Sequence, residues 1–169
     1  MKIGIISDTH RYTAESCNIP DWIKNAFTGV DLIIHAGDVE HNNYITNLEY
    51  IAPVYAVRGN CDPYNSENPL SRSINIGNGL LTVAHRPRDA RNALDIHSKV
   101  LVCGHTHIAA IVEENGLLVI NPGSAYEPRS GMPPSVAVLE TEGETFKAQI
   151  IYKKEASLWN GNYRCCSKS

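Results

Sequence analysis

Three runs rich in Ile, Val and Leu alternate with two segments of helical spacing in the first third of the chain. The runs cover residues 2–7, 31–36 and 54–57, and apolar side chains recur every three or four residues in the segments between them. Strands joined by crossover helices run parallel, and near-continuous hydrophobicity is typical of strands that are buried on both faces. The pattern therefore predicts a β-α-β-α-β unit built on a parallel sheet.

After residue 70 the pattern changes to short apolar runs separated by turn residues, which predict hairpins. The turns are Gly77-Asn78-Gly79, Asn115-Gly116 and Glu142-Gly143, and one further helix is expected at about residues 88–97, before a strand at 100–103. The second half should therefore supply mostly antiparallel strands. About ten strands and three helices are too many strands for one small open sheet, so the sequence predicts an α/β fold of two packed sheets with helices outside.

The length of 169 residues indicates one domain, since single cores divide only beyond about 250 residues. We expect the domain to span residues 1–155. Residues 156–169 are polar apart from Leu158, Trp159 and Tyr163, and we expect them to form a loosely held tail. Cys165 and Cys166 in that tail are expected to be exposed thiols.

Charge and cysteine content exclude several classes of protein. The formal net charge of −3 provides no overall positive field for a nucleic acid backbone or an anionic membrane. Only four apolar or Gly residues separate Met1-Lys2 from Ser7, which is too short for a secretory signal or a membrane span. The five cysteines are scattered and form no C-x-x-C pair, so neither a disulfide framework nor a thiolate zinc site is indicated. We expect a cytoplasmic protein.

Side chains of the types that bind metals stand at or just beyond the carboxyl ends of predicted strands. In α/β sheets the ligand crevice lies outside these strand ends, so side chains from different segments should meet at one rim. The set comprises seven residues: Asp8, His10, Asp38, Asn60, His85, His105 and His107.

The local spacing of these residues supports a common site. In Asp8-Thr9-His10 and His105-Thr106-His107 the paired residues are two apart, so an extended backbone would place both side chains on one side. In Gly37-Asp38 and Gly59-Asn60 the glycine would let the chain turn sharply while the oxygen ligand is presented.

The chemistry of the set favours two divalent ions. Carboxylates, an amide and several imidazoles suit Mn, Fe or Zn better than Ca or Mg, which take oxygen ligands almost alone. Seven ligands exceed the need of one ion. Two ions that share a bridging Asp can clamp a phosphate and lower the pKa of a bridging water for in-line attack. We expect Mn²⁺ first, with Fe, Zn or Ni as alternatives.

The motifs in this order resemble the calcineurin-like metallophosphoesterase superfamily, and Asn121-Pro122-Gly123-Ser124 narrows the resemblance to the small YfcE-like phosphodiesterases. The likeness extends from residue 1 to about residue 152 and implies a four-layer α/β/β/α sandwich. It further implies two ligand sets that share Asp38 as the bridge. One set is Asp8, His10, Asp38 and His107; the other is Asp38, Asn60, His85 and His105.

Two positions depart from the superfamily pattern. The usual His-Gly-His reads His85-Arg86-Pro87, so the ligand is kept and the rim beside it changes. Many of these phosphatases have a His after the Asn ligand to protonate the leaving group, whereas Cys61 stands there, as in the YfcE-like branch. A thiol of pKa about 8.5 is a poor acid for that step. We therefore expect aryl phosphodiesters to be hydrolysed much better than alkyl monoesters.

Three arginines follow site motifs and could each pair with a phosphate oxygen: Arg11, Arg86 and Arg129. Arg129 is the first choice because Pro128-Arg129 matches the placement in the resembled family, and Ser124 is a further candidate neighbour of the phosphate.

The remaining histidines have simpler interpretations. His35 is expected to be a core residue, and His41 either supports a ligand or starts a helix. We place His97 at a helix end, where the helix dipole accounts for it.

The predicted function is a metal-dependent phosphoesterase, foremost a phosphodiesterase, in which a hydroxide bridging two ions attacks phosphorus. Asp8, Asp38, Asn60 and His85 would act through the bound metals. A phosphomonoesterase or nucleotide-directed hydrolase stays open, as does a binding protein, since this branch includes a retromer subunit that uses the fold as a scaffold. The expected partner is a small phosphate ester, and the resemblance implies that a homodimer is possible.

Overall fold

Ten strands form two five-stranded sheets in the computed structural model, which describes residues 1–154. The predicted tail at residues 156–169, including Cys165 and Cys166, lies outside the described residues. The strands are β1 (Lys2–Ile6), β2 (Leu32–His35), β3 (Val54–Ala56), β4 (Ser71–Asn75), β5 (Leu80–Ala84), β6 (Ser98–Val102), β7 (Ala110–Glu114), β8 (Leu117–Asn121), β9 (Ser135–Glu142) and β10 (Thr145–Tyr152).

Three α-helices accompany the sheets in the described residues, as the sequence predicted: α1 (Asp21–Ala26), α2 (Asn43–Glu49) and α3 (Pro87–Asn92). A short 3-10 helix covers Ala14–Cys17. The third helix ends five residues earlier than expected. His97 therefore does not lie at a helix end; its backbone N–H donates to Asp95 Oδ1 (2.8 Å) in the turn before β6. No helix in residues 1–154 is long and apolar enough to cross a bilayer.

The first sheet has the order β10-β9-β1-β2-β3, and the second has the order β4-β5-β6-β8-β7. The predicted parallel unit is present, since β1, β2 and β3 run parallel. The second sheet is less antiparallel than expected, because β5, β6 and β8 also run parallel. Only its outer pairs, β4–β5 and β7–β8, are hairpins. Both sheets are therefore mixed.

Three apolar clusters separate four layers and confirm the α/β/β/α sandwich. Side chains such as Ile5, Ile34 and Val102 fill the space between the two sheets. Alternate residues of the first sheet, such as Ile33, point outward to helices α1 and α2, as expected from the two-residue period of a strand. A smaller cluster around Ala90 holds α3 on the second sheet.

Candidate metal centre

The carboxyl ends of β1, β2, β5 and β6 deliver the predicted ligands to one rim that spans both sheets. The loops after β1 and β2 are joined by backbone hydrogen bonds, from Asp8 N to Gly37 O (3.0 Å) and from Thr9 N to Asp38 O (3.0 Å). The second sheet is tied to the first where the backbone N–H of His105 donates to Asp8 Oδ1 and Oδ2 (3.1 and 3.0 Å). The rim is thus a fixed framework.

Three overlapping sets of side chains in the described residues bring metal-ligating atoms together, and two of them consist of predicted ligands alone; the third is His10, Glu40 and Cys61. In each set the three ligand atoms lie within 4.8 Å of one another. Of the two sets of predicted ligands, one is Asp8, His10 and His107, and the other is Asp8, Asp38 and His85. His10 Nε2 lies 3.3 Å from His107 Nε2, which is 3.3 Å from Asp8 Oδ1. The five side chains of these two sets are all buried.

The imidazoles are oriented by bonds to their other nitrogen. His85 Nδ1 lies 2.8 Å from Ala36 O, His107 Nδ1 lies 2.6 Å from Glu127 O, and His10 Nδ1 lies 2.5 Å from Glu40 Oε1. These oxygens are acceptors, so each Nδ1 carries the hydrogen in the neutral imidazole and each Nε2 presents a lone pair. A ligand His that donates through its other nitrogen is typical of metal sites.

The close spacing of these lone pairs matches the spacing of ligand atoms around one cation. His85 Nε2 is buried without a hydrogen-bond partner among the described residues, although Asp38 Oδ2 lies only 3.1 Å away. Two ligand atoms at about 2.1 Å from one ion are about 3.0–3.4 Å apart, depending on the coordination angle. The 3.1 Å and 3.3 Å separations at this rim match that spacing. The residues present therefore fit a divalent metal.

Asp38 lies between the two sets. Its Oδ2 is 3.1 Å from His85 Nε2 and 3.9 Å from His10 Nε2, while Oδ1 accepts a hydrogen bond from Cys61 N (2.8 Å). Burial raises the pKa of Asp38, but His85, in the protonated form that it can take without a metal, and the Cys61 N–H outweigh burial and hold the pKa well below its usual value. This side chain is therefore a charged carboxylate at neutral pH.

Asp8 differs from Asp38 in its surroundings. Burial raises its pKa, even though it accepts hydrogen bonds from the Ser7 hydroxyl and from His105 N. A buried carboxylate loses hydration that nearby positive charge can replace. A cation at the rim would offset this cost.

Asn60 and His105 lie at the edge of the cluster, and His105 does not join a set of three acidic, His or Cys ligands in the described residues. The amide oxygen of Asn60, an exposed residue, accepts a hydrogen bond from Arg86 Nε (3.3 Å). The His105 ring meets the His85 ring edge-on with centroids 5.2 Å apart. Burial and the charges of His85 and Arg86 lower the pKa of His105, which favours its neutral form.

The site loops are not extended, contrary to the sequence-based expectation. Of eight non-Gly residues with positive φ in residues 1–154, six lie in these loops: Asp8, His10, Asp38, Glu40, His105 and His107. Such a conformation costs about 1–2 kcal/mol per residue for L-amino acids, and such strain clusters at functional sites. Asp8 and His10 nevertheless contribute to one set of ligand atoms, which also contains His107 but not His105.

Two positions at this rim require glycine because a side chain would overlap neighbouring atoms. A Cβ on Gly59 would overlap the carboxylate and backbone of Asp38, and one on Gly104 would overlap Ser7 and the Asp8 carboxylate. Gly59 does not have positive φ, so any turn there does not depend on the left-handed region that glycine favours. The lack of a side chain at Gly59 allows the Asp38 loop to approach it closely.

The calcineurin-like phosphoesterase superfamily domain matches residues 1–144. The chain belongs to this superfamily. A probable metallophosphoesterase of Methanothermobacter thermautotrophicus is 41% identical over 160 residues, which cover 89% of this chain and 92% of that protein. Membership of a metallophosphoesterase family implies that the protein binds divalent metal.

Solved structures share the fold. An archaeal phosphodiesterase superposes with a TM-score of 0.68 at 26% identity, over 89% of this chain and 100% of that chain. YfcE, a phosphoesterase from E. coli, gives 0.66 at 24% identity, over 83% and 88%. Vps29 from Entamoeba histolytica, complexed with Zn²⁺, gives 0.70 at 24% identity, over 90% and 99%. The predicted superfamily, YfcE-like neighbours and fold are confirmed.

Two residues that sequence reasoning left without a role support this phosphoesterase rim. Asp62 accepts four backbone hydrogen bonds, from Asp38 N (3.1 Å), Val39 N (2.7 Å), Glu40 N (2.7 Å) and Gly59 N (2.7 Å). It therefore joins the loops after β2 and β3. Glu40 orients His10. The Gly59-Asn60-Cys61-Asp62 motif contained the signal for Asp62, but nothing local marked Glu40.

The predicted substrate residues lie in different settings. Arg129 is exposed, and its backbone N–H donates to His107 O (3.2 Å). Arg11 Nε donates to Thr9 O (2.8 Å), and its guanidinium stacks 3.8 Å above the Tyr126 ring. Both stand beside the centre.

The Ser124 hydroxyl is engaged by its own loop and by the Asp8 loop. The residue is fully buried, its hydroxyl donates to Asp8 O (2.7 Å), and it accepts from Tyr126 N and Glu127 N (3.2 and 2.8 Å). The hydroxyl is therefore used in holding the Asp8 loop, and Ser124 or its amide as a neighbour of the phosphate stays a prediction.

Two further histidines have structural roles. His35 is buried in the core, where its Nε2 pairs with Thr9 Oγ1 (3.1 Å) and Gly37 N donates to its Nδ1 (3.2 Å). His41 Nδ1 accepts from Asn43 N (3.2 Å), so it serves the start of α2.

Proposed function

We propose that the protein is a metal-dependent phosphodiesterase that hydrolyses small phosphate esters. The observation that carries this proposal is the cluster of three oriented imidazole Nε2 atoms and two carboxylates, including the unpartnered His85 Nε2. Likeness to an archaeal phosphodiesterase supports the diester preference. A phosphomonoesterase is the alternative within the same chemistry.

The proposed ligand sets share Asp38. Asp8, His10, Asp38 and His107 would hold one divalent ion, and Asp38, Asn60, His85 and His105 the other. When bound, the pair would neutralise charge on the phosphate and lower the pKa of the attacking water. We favour Mn²⁺ over Fe, Zn or Ni. The protein itself orients the ligand histidines. Glu40, Ala36 O and Glu127 O accept hydrogen bonds from the Nδ1 atoms of these histidines.

Arg11 and Arg129 are proposed to bind the ester oxygens. The Arg11 guanidinium is kept beside His10 by Tyr126, so its position is largely set before substrate binds. A planar guanidinium can donate two parallel hydrogen bonds to a phosphate. Arg129 stands on the loop that carries Glu127, the partner of His107.

We place the protein in the cytoplasm. Cys17, Cys61 and Cys103 are all free thiols among the described residues, which agrees with a reducing compartment. Assembly as a homodimer stays a prediction from the resemblance.

The Mn²⁺-loaded protein is expected to hydrolyse bis-p-nitrophenyl phosphate, and EDTA is expected to abolish this activity. Added Mn²⁺ should restore it. Release of p-nitrophenol measures both. A scaffold, compatible with the Vps29 likeness, would bind metal without turnover, so absence of hydrolysis with two ions bound would reject the proposed enzyme.

Cys61→His is expected to raise turnover of alkyl phosphate esters by about tenfold or more, because general acid catalysis contributes about 10²–10⁴-fold. Burial and Asp38 raise the pKa of Cys61 to about 11, so the thiol is a weak proton donor at neutral pH. Aryl esters need little protonation and should change little. The ratio of alkyl to p-nitrophenyl turnover measures the effect, with Cys61→Ser as the control. An equal ratio in all three proteins would contradict it.

A further inference from the structure

A cleft of about 340 Å³ opens beside the candidate metal centre. Asn60 and His85 of the proposed metal centre line it together with Arg58 and Arg86, and the exposed side chains of Tyr64 and Leu70 mark its outer end. The volume is at the lower end of the range for small-molecule sites. When the phosphate of a substrate binds at the metal centre, the rest of the substrate would therefore lie at this cleft.

Two arginines and two aspartates line the cleft. Arg58 and Arg86 both line it, and Arg86 replaces the small residue of the superfamily's His-Gly-His pattern. Asp62 also lines it, but four backbone N–H groups already engage its carboxylate. Asp89 is the other carboxylate of the lining. Among the described residues neither guanidinium pairs with a carboxylate: Arg58 Nη1 donates to Tyr64 O and Arg86 Nε donates to Asn60 Oδ1. Each guanidinium therefore has N–H groups left for an anion.

The outer end is apolar and exposed. Tyr64 is 92% exposed and Leu70 is 64% exposed. The Arg58 guanidinium lies 5.3 Å from the centroid of the Tyr64 ring, and its Nη1 donates to Tyr64 O. An exposed aromatic ring next to a guanidinium suits a flat ring such as a nucleobase, which both groups can stack against.

We propose that this cleft is a subsite for a second anionic group, so that the preferred substrates are nucleotide-type phosphodiesters that carry another phosphate. Arg58 and Arg86 bind the second anion, and Tyr64 contacts the base. The inference rests on the proposed phosphodiesterase function. It adds the class of substrate, which the metal ligands alone do not define.

The test uses two substrates with the same leaving group. One is the p-nitrophenyl ester of thymidine 5′-phosphate, and the other carries a second phosphate on its 3′ oxygen. The second phosphate is expected to raise kcat/KM by about 10- to 100-fold, the range for charge-assisted hydrogen bonds, mainly through KM. Arg58→Met and Arg86→Met should each reduce this ratio towards one.

Arg88→Met is the matched control, because Arg88 is an exposed arginine on the same rim that does not line the cleft. Using the ratio of two esters cancels any effect of Arg86→Met on Asn60, which would change both rates alike. A ratio that stays high in both cleft variants, or is near one in the parent protein, would overturn the subsite while leaving the phosphodiesterase intact.

Equilibrium binding separates the two proposals if neither ester is hydrolysed. In that case the phosphodiesterase fails, and calorimetric titration of the metal-loaded protein with thymidine 3′,5′-bisphosphate decides the subsite. The subsite predicts affinity that falls about tenfold or more in Arg58→Met and Arg86→Met but not in Arg88→Met. Equal affinity in all four proteins, including no binding, would reject it.

Discussion

Asp38→Asn is expected to lower kcat for bis-p-nitrophenyl phosphate by about 10³-fold or more, since removal of a single charged or polar group at such a centre costs about 10²–10³-fold and this carboxylate is proposed to serve both ions. Asparagine keeps the shape of Asp38 but loses its charge. Its amide nitrogen could also face His85 Nε2, which lies 3.1 Å from Asp38 Oδ2. Steady-state kinetics and bound metal per chain provide the measurements.

Asp31→Asn is the control for this substitution. Asp31 is exposed at the opposite end of β2, where its Oδ2 accepts a hydrogen bond from Lys2 N (2.6 Å), which asparagine can also accept. The control should retain activity and metal. An Asp38→Asn protein with two bound ions and full turnover would show that Asp38 does not serve the proposed centre.

Asp62→Asn is expected to destabilise the protein by about 3 kcal/mol, because hydrogen bonds to a charged acceptor contribute about 1.5–3 kcal/mol each and asparagine cannot satisfy both ends of this network. Two backbone N–H groups donate to Oδ1 and two to Oδ2. The amide NH₂ of asparagine would face two of these donors. Urea unfolding measures the loss, and activity should fall about 10- to 100-fold, as for other groups that position metal ligands.

Asp95→Asn provides a comparison with the same chemical change. Asp95 is exposed, and among the described residues its carboxylate accepts one backbone hydrogen bond, from His97 N to Oδ1 (2.8 Å), so Oδ1 can be replaced by an amide oxygen. We expect its urea midpoint to match that of the parent. If Asp62→Asn unfolded at that same midpoint, the network around Asp62 would not stabilise the rim.

The sheets were predictable from sequence because hydrophobic periodicity determines which residues enter strands. The runs at residues 2–7, 31–36 and 54–57 correspond to β1, β2 and β3 to within about a residue at each end. The direction of the strands in the second sheet was harder to predict. β8 pairs with β6 in parallel because the β7 hairpin lies outside it at the sheet edge, and turn residues carry no information about which strand lies beyond the hairpin.

Candidate ligands could be predicted from residue type and from their position at strand ends. The groups that orient those ligands by hydrogen bonds could not be predicted. His10 and His107 belong to recognisable motifs, but the partners of their Nδ1 atoms are Glu40 and the carbonyl oxygen of Glu127. Those contacts depend on left-handed backbone that neither motif encodes. The sequence likewise did not show that the buried Ser124 hydroxyl holds the Asp8 loop.

Each set of predicted ligands draws on both layers of strands. His10 follows β1 of the first sheet and His107 follows β6 of the second, and in the other set Asp38 and His85 follow β2 and β5. An ion held between them would join the two sheets much as a covalent cross-link does. Any sliding of one sheet against the other would then change the distances between the ion and its ligands. Ile34 and Val102, far from solvent, would thereby tune the reactivity of the rim through the way they pack.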